Sequence, residues 1–288
     1  MKLDFRIVDV FTDRSFTGNQ LAVVLDAGDL STGVMQEVAR EFGFSETTFV
    51  SRSQAAGCEW RVRIFMPDRE LPMAGHPTVG TALVLQKEGR IGERTVLELG
   101  VGPVPVEIDG DGFAWMTQPA AEFGRVHDQP ERLAAALSLD PADIRRDLPA
   151  RVVSTGNAFL IVPVASLDAM RRIRPRVDLW EEAVAGYAHG AYCFSEEVEE
   201  TGASAHCRML APDAVGEDAA TGSAAGPLGA YLWAHVHGQP ASRLDFVFEQ
   251  GIEMGRPSRI RVWVPEDGKQ PRVGGQAAFV AEGRLDVP

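Results

Sequence analysis

Three titratable residues have neighbours that give them chemical meaning. Glu46 lies in FGFSETTFV, between the end of a helical pattern and a run rich in β-branched residues. His76 and Asp218 stand at the starts of MAGHPTVGTALVL (residues 73–85) and EDAATGSAAGPLGAYL (217–232), which are small or apolar on nearly every side. A helix without a polar face is buried all round. Its N-terminus presents unpaired amides and a partial positive charge, which together make a seat for a carboxylate or another anion. Two such seats facing one cleft would hold a small organic acid, with Ser223 adding a hydroxyl and His76 a ring that titrates near neutral pH. Burial of Glu46 among Phe44 and Phe49 is expected to raise its pKa toward working pH, as a proton shuttle requires. No other carboxylate stands in an equally apolar sequence context.

Each feature also has a plain structural reading. Glycine-rich helix starts serve packing, His76 before Pro77 is a cap, and Asp218 is a capping carboxylate. GSAAG lacks the central serine of GxSxG, no lysine follows as in a phosphate-binding loop, and GxGxxG is missing. His235 and His237 make a poor metal site, having no third ligand at a standard spacing.

The elements that must position these residues follow from local pattern. DFRIVDVF and LAVVL predict two strands around a Gly18-Asn19 loop. Ser31 predicts the cap of a helix running to Phe42, and Gly43 its stop. Strands are expected at Thr47–Val50, Cys58–Phe65, LELGVGPVPVEID and FAWMTQ, giving a first lobe that is mostly β with two helices. After a polar stretch, Asp140-Pro141 reads as a helix start. Strands then follow in RVVSTGNAFLIVPV, AYCFSEE, SAHCRML, DFVFEQG and RIRVWVPE, with helix over 177–186. Pro227 inside the second small-residue segment predicts a local start or irregularity.

Bulk properties narrow the partner. The 288 residues, 45% of them hydrophobic, suffice for two globular lobes. A net charge of −13 disfavours capture of nucleic acid or an anionic membrane, leaving a small molecule as the expected ligand. Cys58, Cys193 and Cys207 have neither disulfide nor zinc spacing and read as reduced structural thiols. A secretory h-region and any run near the ~18 apolar residues of a membrane span are both missing, so a cytoplasmic protein is expected.

Together the residues resemble the PhzF-like isomerases of phenazine biosynthesis, which have the diaminopimelate-epimerase-like fold. FTGNQLAVV, SETTFV, RIFMPDRELPMAGHPTVGTA, GEDAATGSAAGPLGAYL and EQGIEMGRPS carry the likeness in order over most of the chain. The resemblance implies an α+β fold of two similar lobes, each a barrel-like sheet around a central helix, with the active site between them. The expected lobes are residues 1–122 and 123–270, with 271–288 returning to the first, in a homodimer.

It also implies proton transfer without a cofactor or metal. A glutamate matching Glu46 moves a proton between carbons of a cyclic diene acid, which in phenazine producers is trans-2,3-dihydro-3-hydroxyanthranilate, isomerised to a ketone. Asn19, His76 and Asp218 would line the site, and Gly75, Gly222 and Ser223 would hold polar groups of the substrate. Racemases of the superfamily place a cysteine at the start of each central helix, where this chain has Ala74 and Thr221. A two-thiol mechanism is therefore not expected. The alternatives are an isomerase or epimerase of another small acid and a non-catalytic acid-binding protein.

Overall fold

The computed structural model describes residues 1–212 and 216–287. The chain divides into two units: one runs from Met1 to Thr117 and resumes at Gly274, and the other is Gln118–Val273. Among the described residues, no helix is long and apolar enough to cross a membrane.

In the first unit, strand Lys2–Val10 is antiparallel to Asn19–Val24 on one side and to the C-terminal strand Ala277–Asp286 on the other. The sheet continues from Asn19–Val24 to Glu46–Arg52 in parallel, then antiparallel to Trp60–Phe65. A parallel pairing to Arg94–Leu99 and antiparallel pairings through Gly102–Ile108 to Ala114–Thr117 complete it. Parallel neighbours need a crossover, and the helices supply two of them. Helix Thr32–Phe42 joins the second and third strands; Ser31 Oγ accepts from Val34 N, and Gly43 ends the helix at φ 65°. Both ends were legible in the sequence.

The second helix, Gly75–Lys87, is buried at every position from Gly75 to Leu85 and is touched by five strands of its unit's sheet, three within Lys2–Arg52 and two within Gly102–Thr117. Gly80 shows why small residues are needed: an added Cβ would lie 2.7 Å from both Leu21 Cδ2 and Val10 Cγ2. Pro77 sits in the first turn, where no helical acceptor awaits its missing N–H.

The second unit repeats this plan around helix Gly222–His235. Strands Glu122–Val126, Arg151–Ser154 and Ala158–Pro163 pair antiparallel in turn, and Ala158–Pro163 runs parallel to Ala191–Ser195. Strand Ala205–Ala211 pairs antiparallel with Ala191–Ser195 and Gly216–Asp218 and parallel with Leu244–Gln250, which is antiparallel to Ser258–Val264. A separate apolar layer, with Leu133, Met170 and Trp180 at its centre, packs helices Pro130–Ala136, Leu167–Arg172 and Val177–Trp180 on this sheet.

The local start expected near Pro227 does not occur, because Gly222–His235 is continuous through it, and the irregularity is confined to one missing ladder bond. Proline deprives the Ser223 carbonyl of its helical donor. At the preceding carbonyl, of Gly222, the buried Gln118 amide donates from outside the helix at 2.9 Å. Asp140-Pro141 opens only a single 3-10 turn, Pro141–Asp143, closed by the Asp143 carboxylate accepting from Asp140 N at 3.0 Å.

Candidate functional site

In the first unit the fold brings four of the expected residues together. The parallel register sets Leu21 opposite Glu46, so Asn19 stands two residues upstream at the mouth of the same strand pair. Glu46, Thr48 and Val50 share one face of their strand. Thr48 Oγ1 lies 2.9 Å from Thr81 Oγ1, which turns that face toward the buried helix and its first residues, Gly75 and His76.

His76 Nε2 stands 3.3 Å from Glu46 Oε2, with 4% and 15% of the two side chains exposed. On its other side, Asn19 Nδ2 donates to His76 Nδ1 at 3.2 Å, while Ser45 Oγ donates to Asn19 Oδ1 at 3.1 Å. With the amide so oriented Nδ1 is the acceptor, and the ring proton sits on Nε2, facing the glutamate. Ser45 and Glu46 are neighbours, so the four residues form one arc from hydroxyl to carboxylate.

Glu46 Oε2 is sealed from solvent and makes no well-aligned hydrogen bond. Burial therefore pushes the carboxyl up to about 7, and the Ser45 hydroxyl pulls it only partway back. A carboxyl poised there accepts and returns a proton at neutral pH.

The cause of this burial differs from the sequence expectation. Phe49 lies on the opposite face of the strand, edge-on to Phe65 at 5.4 Å in the cluster that also contains Met35 and Val38. Phe44 stacks on Phe42 at 5.9 Å. Both phenylalanines pack toward helix Thr32–Phe42, and Phe49 does not share the face of Glu46. Alternation along ETTFV carries the parity that separates Glu46 from Phe49.

Glu46 is also not the sole carboxylate in a buried setting. Asp9 is 2% exposed and accepts from Phe16 N at 2.6 Å, and Glu249 is fully buried.

In the second unit Asp218 ends strand Gly216–Asp218, and Gly222 and Ser223 open the buried helix. The first ladder bonds of that helix come from Ala224 N and Ala225 N to Thr221 O, so the Gly222 and Ser223 amides precede them. Thr221, the N-cap, does not cap: its Oγ1 turns back and donates to Asp218 Oδ2 at 2.5 Å. The Thr221 hydroxyl is thus engaged with a carboxylate.

Sequence reasoning missed Ser45, Tyr192 and Gln250. Gln250 stands in EQGIEMGRPS, and its amide bonds to Thr221 and Asp218 across 29 and 32 residues.

The remaining motifs are structural. His235 packs its ring on Tyr231 at 4.7 Å and on Phe123 at 5.9 Å, and His237 packs on Phe246. Among the described residues no group of three or more histidines, cysteines or acids is placed to hold a metal. Cys193 and Cys207 are buried free thiols, and burial raises Cys193 to about 12.

Known proteins resemble this chain over nearly its whole length. A family model described as phenazine biosynthesis-like protein matches residues 8–283. A protein of Mesorhizobium japonicum called an uncharacterized isomerase is 39% identical over 99% of both chains. The trans-2,3-dihydro-3-hydroxyanthranilate isomerase of Pseudomonas aeruginosa is 36% identical over 96% of this chain and 97% of its own.

Among solved structures, a Bacillus anthracis phenazine biosynthesis protein of the PhzF family superposes with a TM-score of 0.92 at 29% identity, covering 100% of both chains. A hydroxyproline epimerase from Agrobacterium vitis shares the fold, with a TM-score of 0.66 at 11% identity over 99% of this chain and 92% of its own. That likeness fits the diaminopimelate-epimerase-like architecture. The chain belongs to the phenazine biosynthesis-like (PhzF) family and is one of its isomerases.

Proposed function

We propose that this isomerase moves a proton between two ring carbons of a small cyclic carboxylic acid, with trans-2,3-dihydro-3-hydroxyanthranilate as the substrate and Glu46 as the shuttle. The observation that carries the reading is the Glu46 carboxyl: buried, without a well-aligned partner at Oε2, and held at about 7 beside His76 Nε2. In its ionised form Glu46 takes the proton from the carbon bearing the hydroxyl. The electron pair delocalises through the diene toward the carboxylate-bearing carbon, and Glu46 returns the proton there. The resulting enol becomes the ketone.

The Nε2–H of His76 polarises the glutamate and the substrate's hydroxyl or developing carbonyl, in the orientation that Asn19 sets. Asp218 accepts from the substrate's amino group. The amides of Gly222 and Ser223 at the helix start, and the backbone at Gly75, receive its other polar groups. The side chains named suffice for the proton transfer, in a cytoplasmic homodimer.

The test is isotope exchange. Incubation with dihydrohydroxyanthranilate in D2O is expected to place deuterium at a ring carbon, followed by NMR, and Glu46→Gln to abolish it. Deuterium entering only the α-carbon of an added amino acid would overturn the substrate assignment.

A second reading, an isomerase or epimerase of another small amino or hydroxy acid, is favoured by one observation. The 39% identical Mesorhizobium relative is named as an isomerase with no substrate. The same exchange experiment, run with a panel of such acids, separates the two.

A further inference from the structure

We propose that Gln250 is a positioning residue that holds the Thr221 hydroxyl on Asp218, so that this carboxylate meets the substrate as an acceptor with one oxygen already engaged. The proposal rests on the reading of Asp218 given above and extends it to residues outside the expected site. Gln250 is completely buried, and all four of its amide bonds lie inside the second unit. Oε1 accepts from Thr221 N at 3.1 Å and from the Tyr192 hydroxyl at 3.0 Å. Nε2 donates to the Asp218 carbonyl at 2.7 Å and to Thr221 Oγ1 at 3.0 Å.

These partners leave the amide one orientation. A backbone N–H only donates and a backbone carbonyl only accepts, so Thr221 N must meet the oxygen and Asp218 O the nitrogen. The consequence passes along the chain. Thr221 Oγ1 accepts a hydrogen bond from Gln250 Nε2, so its single hydrogen is left for Asp218 Oδ2, 2.5 Å away. Glutamine alone offers one acceptor and one double donor at this reach; glutamate reverses the direction of the Thr221 hydroxyl, and methionine drops every bond.

The backbone beneath Gln250 is fixed as well. Ser258 Oγ donates to Gln250 O at 3.1 Å and lies 3.3 Å from the Ala219 carbonyl. Gly251 adopts φ 79°, and a Cβ there would lie 2.4 Å from Arg256 O and 2.5 Å from Ala219 O. The strand end that carries Gln250 is thereby wedged against the Asp218–Thr221 turn.

The experiment compares Gln250→Glu, Thr221→Val and Thr221→Ser with Asp218→Asn, using initial rates with dihydrohydroxyanthranilate. Thr221→Ser keeps the hydroxyl and is expected to stay within about threefold of the parent. Thr221→Val and Gln250→Glu are expected to lower kcat at least about tenfold, and combining either with Asp218→Asn should add nothing, because residues acting as one unit are non-additive. Losses that multiply in the double variants would show a merely structural role and overturn the proposal, as would parent-like rates in both Thr221→Val and Gln250→Glu. If Gln250→Glu does not fold, the Thr221 pair carries the same comparison.

A second measurement needs no substrate: the proton NMR spectrum of the unliganded protein should show a protected Thr221 hydroxyl that disappears in Gln250→Glu. Its absence in the parent overturns the proposal whatever the substrate proves to be. Its presence, together with failed ring-carbon exchange, would fault the reading of the reaction and leave Gln250 in place.

Discussion

Glu46 and Glu249 are both buried carboxylates with an imidazole nitrogen nearby, yet the fold prepares them for opposite tasks. Glu249 accepts from His206 Nδ1 at 2.8 Å and from the Glu199 and Glu200 amides at 2.7 and 2.8 Å. Burial alone would raise its pKa, but these donors more than offset that and lower it. His206 also meets Glu253 through Nε2 at 2.9 Å; burial opposes charging the ring, yet the two carboxylates lift it to about 9. The result is an imidazolium clamped between two carboxylates. Glu46 has one imidazole at 3.3 Å, a neighbouring hydroxyl and an unsatisfied Oε2, so burial dominates and its proton stays exchangeable near neutrality. Desolvation is common to both sites, and the number of donors decides which carboxylate keeps its proton near neutral pH.

Glu46→Gln is expected to have the largest effect. The amide keeps the volume but takes no proton, so kcat is expected to fall by about 10²–10⁴ while ligand binding, followed by calorimetry, persists. A parent-like rate would move the shuttle elsewhere. Next comes His206→Leu, which strands two buried carboxylates and is expected to cost about 3–5 kcal/mol in denaturant unfolding. A change below about 1 kcal/mol would mean that water reaches Glu249 and Glu253 and that the clamp contributes little.

How much of this contrast was legible depends on the range of the interactions. Ser31 and Gly43 declare a helix through local bonds to Val34 and Ala39, and the apolar surround of AGHPTVGTALVL announces burial on every side. Glu46 and His76 were visible as candidates through motif and context. Their meeting was not, because it depends on the parallel register of Leu21 with Glu46 and on the Thr48–Thr81 contact. Phe49 was misplaced by attending to proximity along the chain instead of strand parity. The Gln250 amide was invisible because its bonds span 29 residues or more and no local pattern encodes them. Continuity through Pro227 was equally hidden, since a proline defect inside a helix is tolerated or not according to what packs beside it.

Stability as a function of pH sharpens the contrast. Glu46 rises from 4.5 to about 7 on folding, so the native state favours the protonated form: nothing is lost below pH 4.5, stability falls between pH 4.5 and 7, and the full penalty, about 3 kcal/mol, stands above pH 7. Glu46→Gln is therefore expected to unfold at the same denaturant concentration as the parent near pH 4 and at a higher one at pH 8. The His206 ring, raised from 6.5 to about 9, contributes stability that is complete below pH 6.5 and lost as the pH passes 9. Glu249 and Glu253 are shifted downward, so their share is present above pH 4.5 and lost in acid. A Glu46→Gln variant whose advantage over the parent is the same at pH 4 and pH 8 would show that Glu46 titrates as it does in the unfolded chain.

The smallest expected effect is at the joint that lets Glu46 meet His76. Thr48 and Thr81 are fully buried and bond only across the gap between strand and helix. Thr48→Val removes one hydroxyl at nearly constant volume, and the loss should be about 1 kcal/mol. The Thr81 hydroxyl is not left stranded, because a helical threonine can turn to the carbonyl four residues back, as Thr78 does to Ala74 O at 2.7 Å. Replacing both threonines by valine should consequently cost less than the sum of the single changes, since no buried polar group is then orphaned. A double variant less stable than that sum would mean that the hydroxyl pair sets the strand against the helix, and the Glu46 to His76 distance would then depend on this bond as much as on the packing around Gly80.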